Sequence, residues 1–170
     1  MKAPLDQSAL FTPEPWLAPN PAIEIAVYGD PQPQGSKRFV GFKGRPGRGV
    51  IIEANPKTKP WRGNVADEAR KVMGDRPPLT GPIRCDVSFW VRRPVGHFRR
   101  DGRLLPSAPA WPAVRPDRGK LLRAVEDALS GIVWRDDAQC VAGEPIKRYA
   151  TSRPNGHGPG VDIRVEELAP

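Results

Sequence analysis

The segment RPDRGKLLRAVEDALSGIVWRDDAQCV, from Arg115 to Val141, is the part of the chain that decides the fold. Asp117 follows a proline and is therefore expected in an extended or turn conformation. From Lys120 onward, apolar residues recur at spacings of three and four, which predicts an amphipathic helix that ends near a glycine. A strand is expected soon after the acidic pair Asp136 and Asp137. The apolar stripe of the predicted helix comprises Leu121, Leu122, Val125, Ala128, Leu129 and Ile132.

Carboxylates flank this helix, with Asp117 before it and Asp136 and Asp137 after it. If the chain after the helix folds back along it, these acids converge beside Lys120 and Arg123. Such a cluster is costly unless a cation neutralises it, and carboxylate oxygens are ligands that suit Mg²⁺ or Mn²⁺. The alternative is an acidic helix start followed by an unrelated acidic turn, and the spacing leaves both interpretations open.

The same segment resembles the core signature of the RusA-type Holliday junction resolvases, a family common in bacteriophages and prophages. That signature reads P-D-x-D-[NK]-L-x-[KR]-x-x-x-D-A-L and, after a short link, D-D-x-Q-V. Residues 116–129 and 136–141 follow it here. A weaker similarity covers residues 31–38, PQPQGSKR, and residues 55–62, so the resemblance extends from Ile23 to Val165.

The resemblance implies roles for four polar residues of the segment, Asp117, Arg123, Asp136 and Asp137. Asp117 corresponds to the first metal-binding aspartate of the family. Asp136 and Asp137 correspond to its aspartates after the helix, of which the second is the metal ligand. Arg123 stands where the family has its catalytic lysine. Because a guanidinium has a high pKa and is poorly suited to proton transfer, Lys120 is the alternative group for that step.

One departure from the signature matters, because Gly119 replaces the second aspartate at the helix start. Glu126 and Glu144 are candidate replacement ligands. The resemblance therefore implies two possible functions. The first is a homodimeric endodeoxyribonuclease, dependent on Mg²⁺ or Mn²⁺, that resolves four-way junctions and other branched DNA in recombination and repair. The second is a junction-binding protein of the same fold whose catalysis is impaired.

The order of the predicted elements is β-(ββ)-α-β-α-β-β, which predicts an α+β fold. A small mixed β-sheet with two helices packed on one face is expected, as the RusA resemblance also implies. Strands are predicted over residues 23–28 and 83–91, and a helix is predicted to open at Pro60, an allowed first-turn position. Trp90 alternates with the core side of its strand and is expected to point towards solvent, a second subunit or DNA.

The composition is basic, with 27 Lys and Arg against 19 Asp and Glu, a net charge of +8 and a pI near 10.0. This surplus predicts a polyanionic partner such as nucleic acid or an acidic membrane surface, although a surplus that serves only solubility gives the same pattern. A hydrophobic fraction of 38% supports a core. We divide the chain into a flexible, proline-rich arm at residues 1–20 and a nuclease domain at residues 21–170.

Two basic loops, residues 29–50 and 92–114, are candidates for contact with DNA phosphates. The first loop is a Gly-rich hairpin that suits contact with phosphate, and the equal alternative is that it is a solvated, mobile loop with no such contact. The second is longer than an ordinary connection, and its His97 is expected to contact phosphate or to be exposed. The candidate nucleic-acid-binding residues are Lys37, Arg38, Lys43, Arg45, Arg48, Arg92, Arg93, Arg99, Arg100, Arg115, Lys147 and Arg148.

Other classes of protein fit the sequence less well. Cys85 and Cys140 lie outside any CxxC or Cys/His pattern, so a zinc site is not expected. Reduced thiols are typical of a cytoplasmic protein, here of a bacterium or a phage-infected host cell. No stretch approaches the ~20 apolar residues of a membrane span, and the amino terminus does not resemble a signal peptide. A basic RNA-binding or virion assembly protein remains as an alternative of a different class.

Overall fold

The computed structural model of the protein describes residues 21–35, 37–44, 47–53, 55–152 and 158–169. The arm expected at residues 1–20 lies outside the described residues. Neither described helix has the length and apolar character that a membrane crossing requires. The helices and strands of the described residues are β1 Ile23–Tyr28, β2 Lys37–Lys43, β3 Arg48–Glu53, α1 Thr58–Met73, β4 Ile83–Val91, α2 Arg118–Leu129, β5 Cys140–Ala142, β6 Pro145–Tyr149 and β7 Gly160–Glu167.

Five strands form one mixed sheet, and β2 pairs with β3 in a separate antiparallel hairpin. In the five-stranded sheet, β7 lies between β1 and β4 and is antiparallel to both, whereas β5 and β6 run parallel to β4. Gly143 separates β5 from β6 with a φ of 132°, and a Cβ there would lie 2.0 Å from the carbonyl oxygen of Cys85. Only glycine fits this close approach of two backbones.

Both helices pack on the same face of the five-stranded sheet, which confirms the α+β arrangement expected from the sequence. Alternate residues of the central strands face the helices, as the period of two along a strand requires. Val72 of α1 is 36% exposed, because the buried face of that helix runs through Ala66 instead. The core is formed chiefly by Ile25, Val27, Trp61, Val65, Ala69, Ile83, Val87, Phe89, Leu121, Val125, Leu129, Val161, Ile163 and Val165.

Helix α1 begins two residues earlier than predicted. The Thr58 N–H donates to the carbonyl oxygen of Asn55, and Thr58 Oγ1 donates to the carbonyl oxygen of Pro33 at 2.8 Å. These contacts place Thr58 in the first turn of the helix and attach the loop that precedes β2 to it.

The expectation for Trp90 was wrong. Its side chain is only 7% exposed, and its Nε1 donates to Asp162 Oδ2 at 2.6 Å. Gly160 is the β7 residue paired with Trp90, and its lack of a side chain leaves room for the indole to lie across that strand. A buried indole N–H usually finds an acceptor, and β7 supplies it here.

Residues 92–114 are a folded segment rather than an open loop. A short 3₁₀ turn spans Val95–His97, and Phe98 and Leu104 form a β-bridge beyond it. His97 is half-buried and packs edge-on against Tyr149, with the ring centroids 5.7 Å apart. The Nδ1 atom of His97 is buried without a hydrogen-bond partner, so the expected exposed, phosphate-contacting histidine is not observed.

Candidate functional site

Helix α2 is the crossover between the parallel strands β4 and β6. Such a helix runs antiparallel to the strands that it joins, so its first turn lies near their carboxyl ends. Asp117 is the N-cap residue of α2. The adjacent Pro116 is tied to β6, because Lys147 Nζ donates to its carbonyl oxygen at 2.9 Å. Asp117 therefore lies at the end of the sheet where open α/β sheets bind their ligands.

A cavity of about 560 Å³ opens beside Asp117. The loop before β2 forms its far wall and is held in place because the Gln34 N–H donates to the carbonyl oxygen of Lys120 at 2.8 Å. Asn55 Nδ2 donates to Gln32 Oε1 at 3.3 Å, so two carboxamides face the same space. No role was predicted from the sequence for either carboxamide, although the PQPQG similarity covers this loop. The lining residues are Pro31, Gln32, Pro33, Asn55, Arg115, Pro116, Asp117 and Lys120.

The surroundings of Asp117 are basic. Its carboxylate lies 3.8 Å from Lys120 Nζ, and both side chains are more than half exposed. Burial lowers the pKa of Lys147, while the negative charge of Asp117 acts in the opposite direction. Arg115 lines the cavity, and Arg123 is exposed one helical turn beyond Lys120. One carboxylate surrounded by cations suits an anionic ligand that approaches together with a metal ion.

Asp136 and Asp137 lie at the other end of α2, beside a second cavity of about 320 Å³. Asp136 Oδ1 accepts a hydrogen bond from the Ala138 N–H at 2.8 Å and so caps the 3₁₀ turn Asp137–Gln139. Asp137 is exposed. The pKa of the half-buried Glu126 is raised, first by the burial of Glu126 itself and second by the negative charge of Asp137. The residues that line this cavity are Arg62, Asp127, Ser130, Arg135, Asp136 and Asp137.

Gln139 holds the turn that carries this acidic pair. Its Oε1 accepts hydrogen bonds from the backbone N–H groups of Arg135 and Asp136, at 2.9 and 3.0 Å. Its Nε2 donates to the carbonyl oxygens of Leu79 and Gly81, at 3.1 and 2.8 Å. No role was predicted for this glutamine, although it belongs to the D-D-x-Q-V part of the signature. All four contacts are to backbone, so the turn is fixed against the segment that leads into β4.

The two groups of acids do not meet within one chain. Asp127, which shares the cavity of Asp136 and Asp137, lies ten residues after Asp117, about 15 Å along the helix axis. Within the described ranges, no three His, Cys, Asp or Glu side chains are grouped closely enough to hold a metal ion. The chain does fold back along α2, as expected, through β5 and β6. Asp136 and Asp137 come before these strands, so they remain near the carboxyl end of α2, away from Asp117.

Neither replacement ligand joins Asp117. Glu126 lies within electrostatic range of Asp137 and Asp127 instead, and Glu144 is exposed, with its N–H bonded to Asp86 Oδ1 at 2.9 Å. Gly119 is exposed, and a Cβ added there would meet no other atom within 4 Å. Among the residues that the structure describes, the carboxylate set expected of a metal site is thus incomplete in a single chain.

Several of the candidate DNA-binding cations already have partners in the chain. Arg92 pairs with Asp30 at 3.3 Å, and the guanidinium of Arg93 stacks 3.9 Å from the centroid of the Tyr149 ring. Lys147 is bound to backbone carbonyl groups. These contacts fix the segment 92–114 on β6 and leave fewer hydrogen bonds for phosphate.

Other cations of the set are exposed. Lys43, Arg99, Arg100 and Arg115 have exposed side chains that hydrogen-bond with none of the described residues. Arg148 lies under the ring of Trp111, 5.3 Å from its centroid. Lys37, Arg38 and Arg48 belong to the β2–β3 hairpin, and the structure describes only the backbone of these three residues. Arg45 lies outside the described residues.

Comparison with known proteins finds a family model that covers most of the chain. A family model described as Endodeoxyribonuclease RusA matches residues 29–166, a span that includes both helices and both groups of acids. The chain is also 27% identical over 151 residues to the uncharacterized protein YqaN of Bacillus subtilis strain 168. That alignment covers 86% of this chain and 97% of the relative.

Proposed function

Because the chain belongs to the RusA endodeoxyribonuclease family, we propose that it is a structure-specific endonuclease that resolves four-way junctions and other branched DNA. The observation that carries the proposal is the position of Asp117, at the amino terminus of α2 beside an open cavity lined by Arg115 and Lys120. A carboxylate within a basic cavity suits the binding of a phosphodiester together with a divalent cation.

The proposed metal is Mg²⁺ or Mn²⁺, and the described residues of one chain do not form a complete set of ligands for it. In a homodimer related by a two-fold axis, the Asp117 end of one protomer can face the Asp137 end of its partner. We therefore assign Asp117 and Asp137 as the ligands, each from a different copy, with Asp136 mainly orienting the turn. When bound, the cation would activate a water and offset the charge on the scissile phosphate.

The remaining residues of the site act on the phosphate itself. The guanidinium of Arg123 is exposed and presents a fork of donors that matches phosphate oxygens, so it stabilises the negative charge of the phosphate. Lys120 Nζ is the group best placed to hold or move a proton beside Asp117. Two such sites related by the dimer axis would nick opposing strands of a junction.

A junction-binding protein without cleavage is the second candidate, and Gly119 is the observation that favours it. In the described part of the chain, no side chain apart from those of its two chain neighbours lies within 4 Å of the place that a Cβ at Gly119 would take, so none fills the place of the missing family ligand. An RNA-binding or virion assembly role has no such support from the described residues.

The test is a cleavage assay with a labelled four-way junction at increasing Mg²⁺ concentration. Asp117→Asn and Asp137→Asn are each expected to abolish cleavage while junction binding survives. Binding without cleavage by the wild-type protein would favour the second candidate. Cleavage that persists in the double variant would exclude these acids as the site.

A further inference from the structure

One tryptophan differs from the others that the structure describes. Trp61, Trp90 and Trp134 are buried, whereas the side chain of Trp111 is 58% exposed. Trp111 lies on residues 109–116, which we call the Trp111 strap. The strap continues directly into Asp117. A large aromatic side chain in water needs an explanation more than a small apolar one does, because it leaves far more apolar area exposed.

Two cations hold the Trp111 strap at its ends, one from the segment after β4 and one from β6. At its start, Arg93 Nη1 donates to the carbonyl oxygen of Pro109 at 3.0 Å. At its end, Lys147 Nζ donates to the carbonyl oxygens of Val114 and Pro116, at 2.5 and 2.9 Å. Trp111 is therefore presented on a restrained backbone, so little conformational entropy is lost when a ligand binds to it.

The two faces of the indole ring have different surroundings. The Arg148 guanidinium lies over one face, 5.3 Å from the ring centroid, in the geometry of a cation–π contact. The exposed fraction of Trp111 leaves the rest of the ring open to solvent. Proteins that bind unpaired nucleotides combine cations that meet the backbone with aromatic rings on which bases stack. Arg99 and Arg100, exposed on the same segment, supply further cations.

We propose that Trp111 is a stacking platform for an unpaired nucleobase at the branch point of the DNA. The proposal rests on the proposed function, since it names how the same site would recognise branched substrates. Asp117 follows Trp111 by six residues, so the two lie within about 22 Å even if the strap were fully extended. That distance is about six base pairs along a duplex. A base that stacked on Trp111 would place a phosphate of the same arm near Asp117.

The experiment measures equilibrium binding to a four-way junction and to an intact duplex, in EDTA and at fixed salt, so that cleavage plays no part. Trp111→Ala is expected to lower junction affinity about 5- to 150-fold, the usual effect of removing one stacked base contact. Trp111→Leu keeps an apolar side chain but has no aromatic face and should lose a similar amount, whereas Trp111→Phe should retain most of the affinity. Val95→Ala, an exposed apolar position of the same segment, is the matched control and should bind as wild type.

A second readout reports stacking directly. A 2-aminopurine placed at the branch point should be quenched by the wild-type protein and by Trp111→Phe but not by Trp111→Leu. Wild-type affinity in Trp111→Leu, or an equal loss on duplex and junction, would overturn the platform. A loss of self-association in Trp111→Ala would show instead that the ring contacts a second copy. If the wild-type protein binds no junction at all, the proposed function itself fails, an outcome distinct from these.

Discussion

Gln139 offers the sharpest test of how the structure positions its acids. Replacing it with leucine keeps the volume and removes four hydrogen bonds to backbone groups. The two bonds to carbonyl groups are partly buried, and each such bond contributes about 1–1.5 kcal/mol net. The two bonds from N–H groups are exposed, and water replaces them at a cost of about 0.5 kcal/mol or less each. Gln139→Leu should therefore lower the free energy of unfolding by about 2–4 kcal/mol.

Urea unfolding of Gln139→Leu, followed by circular dichroism, measures that change. Gln34→Leu is the matched control, because the side chain of Gln34 accepts one long hydrogen bond, 3.3 Å from Arg62 Nη1. We expect the control to cost less than about 1 kcal/mol. Under folding conditions, Gln139→Leu should also reduce junction cleavage more than junction binding, because the turn that carries Asp137 is released. A Gln139→Leu protein as stable as wild type, within about 0.5 kcal/mol, would refute the argument.

Three further predictions follow from single residues. Gly119→Asp restores the carboxylate of the family signature in open space. It should raise cleavage at limiting Mg²⁺ about tenfold over Gly119→Asn, because one added charge near a divalent ion contributes about 1.4 kcal/mol or more. Equal rates for the two variants would contradict a metal beside Asp117. Glu126→Gln should stabilise the protein at pH 7, since burial and neighbouring acids raise the pKa of the Glu126 carboxyl and its ionised form therefore lowers the stability of the folded state above that pKa. Urea unfolding at pH 7 and at pH 4 should show that this gain in the free energy of unfolding shrinks as the pH falls. A gain that does not depend on pH would count against this cause. Burial raises the pKa of the Cys85 thiol to about 12 and that of the Cys140 thiol to about 11. Both thiols should therefore react with a thiol reagent at pH 8 at least about 100-fold more slowly in the folded protein than in urea. Rapid labelling of the native protein would contradict their burial.

The order of elements was predictable because each has a local pattern. The alternation from Ile83 to Val91 and the apolar stripe of α2 specify a strand and a helix without reference to the rest of the chain. The environment of Trp90 was not predictable, since its acceptor, Asp162, comes from a strand about 70 residues later. Patterns within a single segment cannot report such a contact.

The residues of the candidate site were predictable, but their positions relative to one another were not. The signature identifies Asp117 and Asp137, but their separation depends on the direction of α2 relative to β4, which follows from sheet pairing. The Gln32–Asn55 wall of the first cavity escaped notice for a similar reason, because its two carboxamides are 23 residues apart in sequence. The four hydrogen bonds of Gln139 could not be predicted because all its partners are backbone groups, which every residue carries whatever its side chain.

The central claim is that a complete site takes Asp117 from one protomer and Asp137 from the other. Heterodimers of Asp117→Asn with Asp137→Asn, purified through two different tags, test it most directly. In such a heterodimer one site has lost both acids and the other site keeps both. The heterodimer should therefore nick one strand of a Mg²⁺-loaded junction, while each homodimer stays inert. A heterodimer as inert as the homodimers, beside an active wild-type dimer carrying the same tags, would contradict the account.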